Sequence, residues 1–224
     1  MPKMTLPSGI TIEYRGMTGR DEDLLTNRKK LMSGEAMDEI LKNCIIDFGG
    51  KAPMLSDVEA LISPDRIALL LAIRIESYGD SMDVELDCGN EACAGNKTRV
   101  TVDLSTIEST PLPEGEGGFE VTVEGKRVKF GYLTGKKERA LAKTKEDLLT
   151  TAMALRLIEV EGIHANDHKK WLRDLPVAGR RTLRDAMAAT DAGPQTVKTA
   201  DCSSCGNELR FDVQAQVSFF FPAT

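Results

Sequence analysis

Two cysteine pairs constrain this 224-residue chain more than any other feature. "DCGNEACAGN" carries Cys88 and Cys93, and "DCSSCGNE" carries Cys202 and Cys205. Each pair lies in a glycine- or serine-containing turn between alternating apolar patterns: "DVELDC" and "KTRVTVDL" flank the first, "VKTAD" and "LRFDV" the second. Such patterns read as strands joined at a tight tip. One knuckle offers two thiolates, half of a tetrahedral site; two facing knuckles offer four. The spacing therefore predicts a zinc ribbon with Cys88, Cys93, Cys202 and Cys205 as ligands, split by the 108 residues between Cys93 and Cys202. With cysteine at all four positions no place is kept for water, so the Zn2+ is expected to be structural. Gly89 and Gly206 are expected to let backbone amides approach the sulfurs and offset their charge.

The same thiols admit other readings. A redox C-x-x-C expects a strand followed by a helix, and here a strand follows. Disulfides need an oxidising compartment. The N-terminus "MPKMTLPSGITIEY" lacks a signal-peptide apolar region, and the longest apolar run, Ile67–Ile73, is too short to span a bilayer. A soluble chain made in the cytoplasm is the expectation. Thiols without metal stay open as the alternative. The fifth cysteine, Cys44, shares a helical face with Ile40, Leu41 and Ile45 and reads as a core residue.

The remaining pattern is α+β: an N-terminal helical region plus a split zinc-ribbon-like β module with an inserted hairpin and helices. The boundaries read as 1–80 for the helical region, 81–108 with 196–224 for the ribbon, and 109–195 for the insert. Within 20–80, "GRDEDLLTNRKKLMSG" and "GEAMDEILKNCIIDFGG" read as amphipathic helices closed by glycine. Ser56 with Glu59 has capping-box spacing, and Ser63-Pro64 reads as a cap followed by proline at the first helical position. The helix from Asp65 to Ser77 is apolar on nearly all faces and is expected to be central, with Arg66 and Arg74 reaching carboxylates at its edges. "STPLPEGEGG" (109–118) reads as a linker. "FEVTVEGKRVKF" reads as a second hairpin turning at Glu124-Gly125, and "KEDLLTTAMALRLIEVEG", "NDHKKWLRDL" and "PVAGRRTLRDAMAATDAG" read as helices. After the second knuckle an alternating strand is expected to run from Leu209 through Val217.

No catalytic signature is found. His164 and His168 lack the glutamate of an H-E-x-x-H motif and read as a solvated loop pair, with Asn166-Asp167 as a helix cap. "GYLTGKKE" misses phosphate-loop spacing by one residue and has Lys137 where Ser or Thr would bind magnesium. The chain is not read as an enzyme. Its net charge of −6 argues against a generally cationic nucleic-acid binder. One local feature runs the other way: residues 126–145 hold eight Lys or Arg (Lys126, Arg127, Lys129, Lys136, Lys137, Arg139, Lys143, Lys145) against Glu138 alone. Lys136, Lys137 and Arg139 are candidates for partner contact, on an acidic protein or on nucleic acid, and a plain solvated edge is the other reading. Phe219, Phe220 and Phe221, followed by Pro222, form either a last core strand or a docking tail that a partner must cover.

Taken in order, "DRIALLLAIRIESYGD", the first cysteine hairpin, an insert and "CSSCGNELRFDV" closing on "SFFFP" resemble the T-even-type baseplate proteins of contractile-tailed bacteriophages, from about residue 20 to the end. Asp65-Arg66, Arg74, Ser77-Tyr78-Gly79, the cysteine pairs and the terminal aromatic-proline stretch carry the resemblance. It implies a baseplate hub or hub-assembly protein that acts through protein contacts. Expected partners are hub, tape measure and wedge proteins, and the expected location is the virion tail, or the host cytoplasm during assembly. The alternative is a zinc-ribbon nucleic-acid-binding or regulatory protein using 126–145.

Overall fold

A computed structural model describes residues 1–93, 96–113, 118–215 and 219–220. Strand pairing begins before the first predicted helix. Lys3–Thr5 (β1) and Thr11–Tyr14 (β2) form an antiparallel hairpin whose turn holds Gly9 at φ +87°. The expected helix at 19–34 is two helices, Gly19–Thr26 (α1) and Arg28–Ser33 (α2). The break falls at Asn27, whose side chain accepts from the Lys30 amide at 3.1 Å and starts the second helix. Glu35–Cys44 (α3) stops at Cys44, and Ile45–Phe48 (β3) pairs with β2. The predicted run to Gly49-Gly50 fails because Ile45-Ile46 is a β-branched pair with a strand edge waiting for it.

Leu55–Ala60 (α4) and Ser63–Tyr78 (α5) follow. The α4 cap is Met54 with Asp57, whose carboxylate accepts from the Met54 amide at 2.9 Å, not Ser56 with Glu59. Pro64 stands in the first turn of α5 as expected. Ser63 is already helical, and its hydroxyl bonds the Leu133 carbonyl (3.2 Å) and Glu138 (2.7 Å). α5 serves two cores. Leu69 and Ile73 join Leu6, Ile12, Leu25, Ile40, Leu41 and Cys44, while Leu71 turns to the ribbon. Cys44 is fully buried there, and burial pushes its thiol up to about 12. Among the described residues no helix is long and apolar enough to cross a membrane.

The ribbon's first hairpin is Ser81–Asp87 (β4) with Lys97–Asp103 (β5), in register from Ser81 opposite Asp103 to Asp87 opposite Lys97. Ser109–Thr110 (β6) leads out of it, and residues 114–117 of the expected linker lie outside the described residues. The insert builds its own core. Phe119–Val123 (β7) and Lys126–Phe130 (β8) make the predicted hairpin. Gly135–Ala142 (α6) and Leu148–Arg156 (α7) follow. Leu157–Val160 (β9), expected as the tail of a helix, is a strand paired with β8. His168–Asp174 (α8) and Val177–Ala189 (α9) complete it. Val123, Val128, Phe130, Met153, Leu157, Leu172, Leu183 and Met187 are buried together. Gly193–Pro194 (β10) then pairs with β6, so the chain re-enters beside the point where it left.

Val197–Asp201 (β11) and Glu208–Asp212 (β12) form the second ribbon hairpin. β12 ends at Asp212 in a 3-10 turn at Val213–Ala215, short of the predicted strand; Val217 lies outside the described residues. Among the described residues the two hairpins share no backbone ladder. They meet through Met82, Val84, Leu86 and Val102 on one side and Leu209, Phe211 and Val213 on the other.

A knot of charge ties α3, α4, α5 and α6. Arg66 pairs with Asp38 and Glu138, each at 2.7 Å, and Arg139 pairs with Asp38 at 3.2 Å and with Glu59. Asp38 and Arg66 are both buried. Arg66 thus finds carboxylates as expected. Arg74 does not: its guanidinium donates to the carbonyls of Gly79 (2.9 Å) and Ser81 (3.5 Å) and lies over the Tyr78 ring. It closes the α5–β4 corner.

Candidate metal centre

The two knuckles are built from local hydrogen bonds. Cys88 directly follows β4, and its amide donates to the Asn96 carbonyl at 3.2 Å. A 3-10 turn at Glu91–Cys93, with the Cys93 amide on the Asn90 carbonyl at 2.8 Å, folds the second thiol back over the first. In the other knuckle Cys202 directly follows β11. Its amide donates to Asn207 and its carbonyl accepts from Gly206, both at 2.9 Å. Gly206 sits at φ +70°, where an L side chain is strained, so this turn needs glycine. Gly89 has no such backbone.

The four sulfurs converge. Cys88 and Cys205 lie 3.7 Å apart, Cys93 and Cys202 3.8 Å, and all four Sγ atoms fall within 4.8 Å of one another. A tetrahedron of sulfurs about 2.3 Å from a central Zn2+ has edges of about 3.8 Å. The quartet has that size, and a disulfide would need half the separation. All five cysteines are free thiols. Cys88, Cys93 and Cys202 are buried and Cys205 is exposed. The donor set fits a closed divalent site, so these residues can hold a metal ion.

Electrostatics favour the charged state unevenly. Backbone amides of Ser204 and Cys205, with the Thr98 hydroxyl, draw the Cys202 thiol down to about 6. Cys88 also has an amide on its sulfur, from Asn90, yet burial and the sulfurs of Cys205, Cys202 and Cys93 push it up to about 12. The Asn96 side chain, 3.4 Å away, lowers Cys93, but burial and the sulfurs of Cys205 and Cys202 raise it on balance. Four thiolates repel, and only a cation at their centre lets them share one cage. Asn90, Asn96 and Thr98 are the supports that sequence reading missed. The asparagines stand two and three positions after cysteines, a signal that was available. Thr98 gives none: it lies buried on β5 and accepts from the Ser203 amide at 3.1 Å, pinning one knuckle to the other hairpin.

The other candidates scatter. His164 is exposed and accepts from the Asn166 amide at 3.3 Å, so the histidine itself caps the short turn. His168 is buried at the head of α8, contrary to the solvated pair expected, and burial and His164 lower its pKa. Phe219 is 1% exposed in the ribbon core and cannot present itself to a partner; Phe220 is half-buried where the ribbon and N-terminal cores meet. Phe221 and Pro222 lie outside the described residues. Arg139 is turned into the charge knot, Lys137 is half-buried, and Lys136 is exposed. Gly135 of "GYLTGKKE" serves packing: a Cβ there would meet the Arg66 guanidinium, 2.8 Å from Cζ.

Among curated proteins and among solved structures, nothing matches the chain significantly. A family model does: that of the T4 bacteriophage base plate protein, over residues 1–221, a span that takes in both hairpins, the insert and all four clustered cysteines. The chain belongs to the T4 bacteriophage base plate protein family.

Proposed function

We propose that this protein is a structural or assembly component of a contractile-tailed phage baseplate, working through contacts with hub, tape measure or wedge proteins and performing no catalysis. It would act in the virion tail, or in the host cytoplasm while the tail is built. Its Zn2+, held by Cys88, Cys93, Cys202 and Cys205, would fasten the C-terminal hairpin to the middle of the chain. The carrying observation is the sulfur quartet, of zinc-cage size, between two hairpins that share no backbone ladder. We read the ribbon as 81–108 with 196–224, the insert as 109–195 and the helical region as 1–80. The zinc supplies cross-linking only; Thr98, Asn90 and Asn96 orient the sulfurs and donate to them. Elemental analysis of native protein should find one zinc per chain, and the protein should co-purify with tail subunits expressed alongside it. Well-folded protein free of metal would defeat the zinc assignment, and failure to associate with any tail subunit would defeat the baseplate role.

A further inference from the structure

The basic segment 126–145 is used unequally by the fold. Arg139 belongs to the charge knot, and Lys126 donates to the Glu161 carbonyl at 3.2 Å. The Arg139 stem packs against Gly34, where a Cβ would lie 3.1 Å from its Cγ, and this draws α6 against the end of α2. There Lys143, just past α6, meets a second basic run that the sequence reading passed over. Arg28, Lys29, Met32, Ser33 and Lys143 line a shallow, open depression of about 520 Å³. No carboxylate lines it. Among the described residues none of its three cations has an ion-pair partner, whereas the adjacent Lys30 is held by Glu39 at 2.7 Å. Met32 is 68% exposed.

We propose that this surface docks a short acidic, amphipathic helix of a partner protein. The proposal rests on reading the chain as one that works through protein contacts, and it names the place. Three cations together without ion pairs, in a chain of net charge −6, make a local positive field complementary to an anionic ligand. Met32, with the aliphatic stems of Arg28 and Lys29, adds an adaptable apolar floor that an apolar helix face can cover. Nucleic acid fits less well. None of the lining residues is aromatic, so no base can stack.

The probe is a fluorescein-labelled synthetic peptide with Glu and Leu at helical spacing, followed by anisotropy. Wild-type protein should bind it in a salt-sensitive manner. Arg28→Glu/Lys29→Glu/Lys143→Glu should weaken binding about tenfold or more, as reversal of an unpaired charged patch does. Met32→Ser should weaken it less, and Lys170→Glu, exposed on α8, should leave it unchanged. Circular dichroism and zinc content report that each variant is folded. The proposal is overturned if wild type does not bind, if the triple variant binds as wild type does, or if a Leu-to-Ser peptide binds equally well. Tighter binding of single-stranded DNA, or wild-type dimers in sedimentation that the triple variant abolishes, overturns it as well. If the triple variant keeps peptide binding and still co-purifies with tail subunits, the surface is wrong and the functional reading stands.

Discussion

Beyond the C-terminal end of α5, four sulfurs bring Cys88 and Cys93 to Cys202 and Cys205; in its first turn, Arg66 brings Asp38 to Glu138, with Arg139 and Glu59 joining the knot. Both junctions gather residues about a hundred positions apart, but on different terms. The sulfurs carry no counter-charge of their own: donors lower the Cys202 thiol to about 6, while burial and the neighbouring sulfurs push Cys88 up to about 12. The knot carries its own counter-charges. Taking them out of water costs about as much as their attraction returns, so it fixes geometry more than it adds stability. One junction is conditional on a ligand; the other is conditional on every member being present.

The largest effect should come from opening the sulfur junction. Cys202→Ser, or a strong chelator acting on the native protein, should strip the metal and release the ribbon. Hydrogen exchange should show protection lost across 81–103 and 197–212 and retained across 3–48. Equal protection with and without metal would show that the apolar core of the hairpins suffices. That outcome would erase the contrast between the junctions.

Next is the knot. Arg66→Met leaves Asp38, 1% exposed, without its shortest partner, and should cost about 3–5 kcal/mol in urea unfolding, as removal of one member of a buried pair does. Adding Asp38→Asn should recover part of the loss. A single variant as stable as wild type would show the knot to be ornamental.

Gly135→Ala probes the same place more gently. Early in a helix, alanine for glycine ordinarily stabilises by up to about 1 kcal/mol. Here the new methyl meets the Arg66 guanidinium and the Val58 carbonyl, 3.2 Å away, so the sign should reverse to a loss of about 2 kcal/mol, the usual scale of overpacking. In an Arg66→Met background the loss should shrink, because the atom in the way is gone.

The two junctions also differ in how far they can be read from sequence. Four residues of one type in matched strand–turn–strand contexts can be found by eye, because a tetrahedral thiolate site dictates both ligand type and spacing. The knot has no such grammar. Arg66 visibly needed a carboxylate, but Asp38, Glu59 and Glu138 are ordinary acids on amphipathic helices until packing turns them inward. Arg139, a candidate for partner contact in the sequence, is engaged with Asp38 and Glu59, and nothing local in the sequence marks that pairing. The N-terminal sheet and β9 escaped because Ile45–Phe48 and Leu157–Val160 are four-residue strands appended to helices, where pairing with a neighbour outweighs local periodicity. Phe219 was undecidable in sequence, since a core strand and a docking tail have the same composition.

The smallest effect separates a buried carboxylate with partners from one without. Asp21 suffers from burial, but Arg15 at 2.8 Å, both donors of Thr18 at 2.9 Å and Asn43 at 3.1 Å outweigh it and hold its pKa below the usual carboxylate value. Asp65 is as deeply buried and, among the described residues, bonds only Ser8, at 2.8 Å, so burial raises it. The signs follow by linkage. Asp21 adds stability above the unfolded carboxyl pKa of about 4, lost as pH falls through its lower folded value. Asp65 in its charged form costs stability, and the cost fades as pH falls through its raised value. Asp21→Asn should therefore destabilise at neutral pH and converge on wild type in acid. Asp65→Asn keeps an acceptor for the Ser8 amide, so it should match or exceed wild type at neutral pH and lose that advantage in acid. Urea midpoints across the acid range measure both slopes. Slopes of the same sign would mean that partners, which distinguish the charge knot from the bare sulfur cage, do not govern what a buried charge costs in this protein.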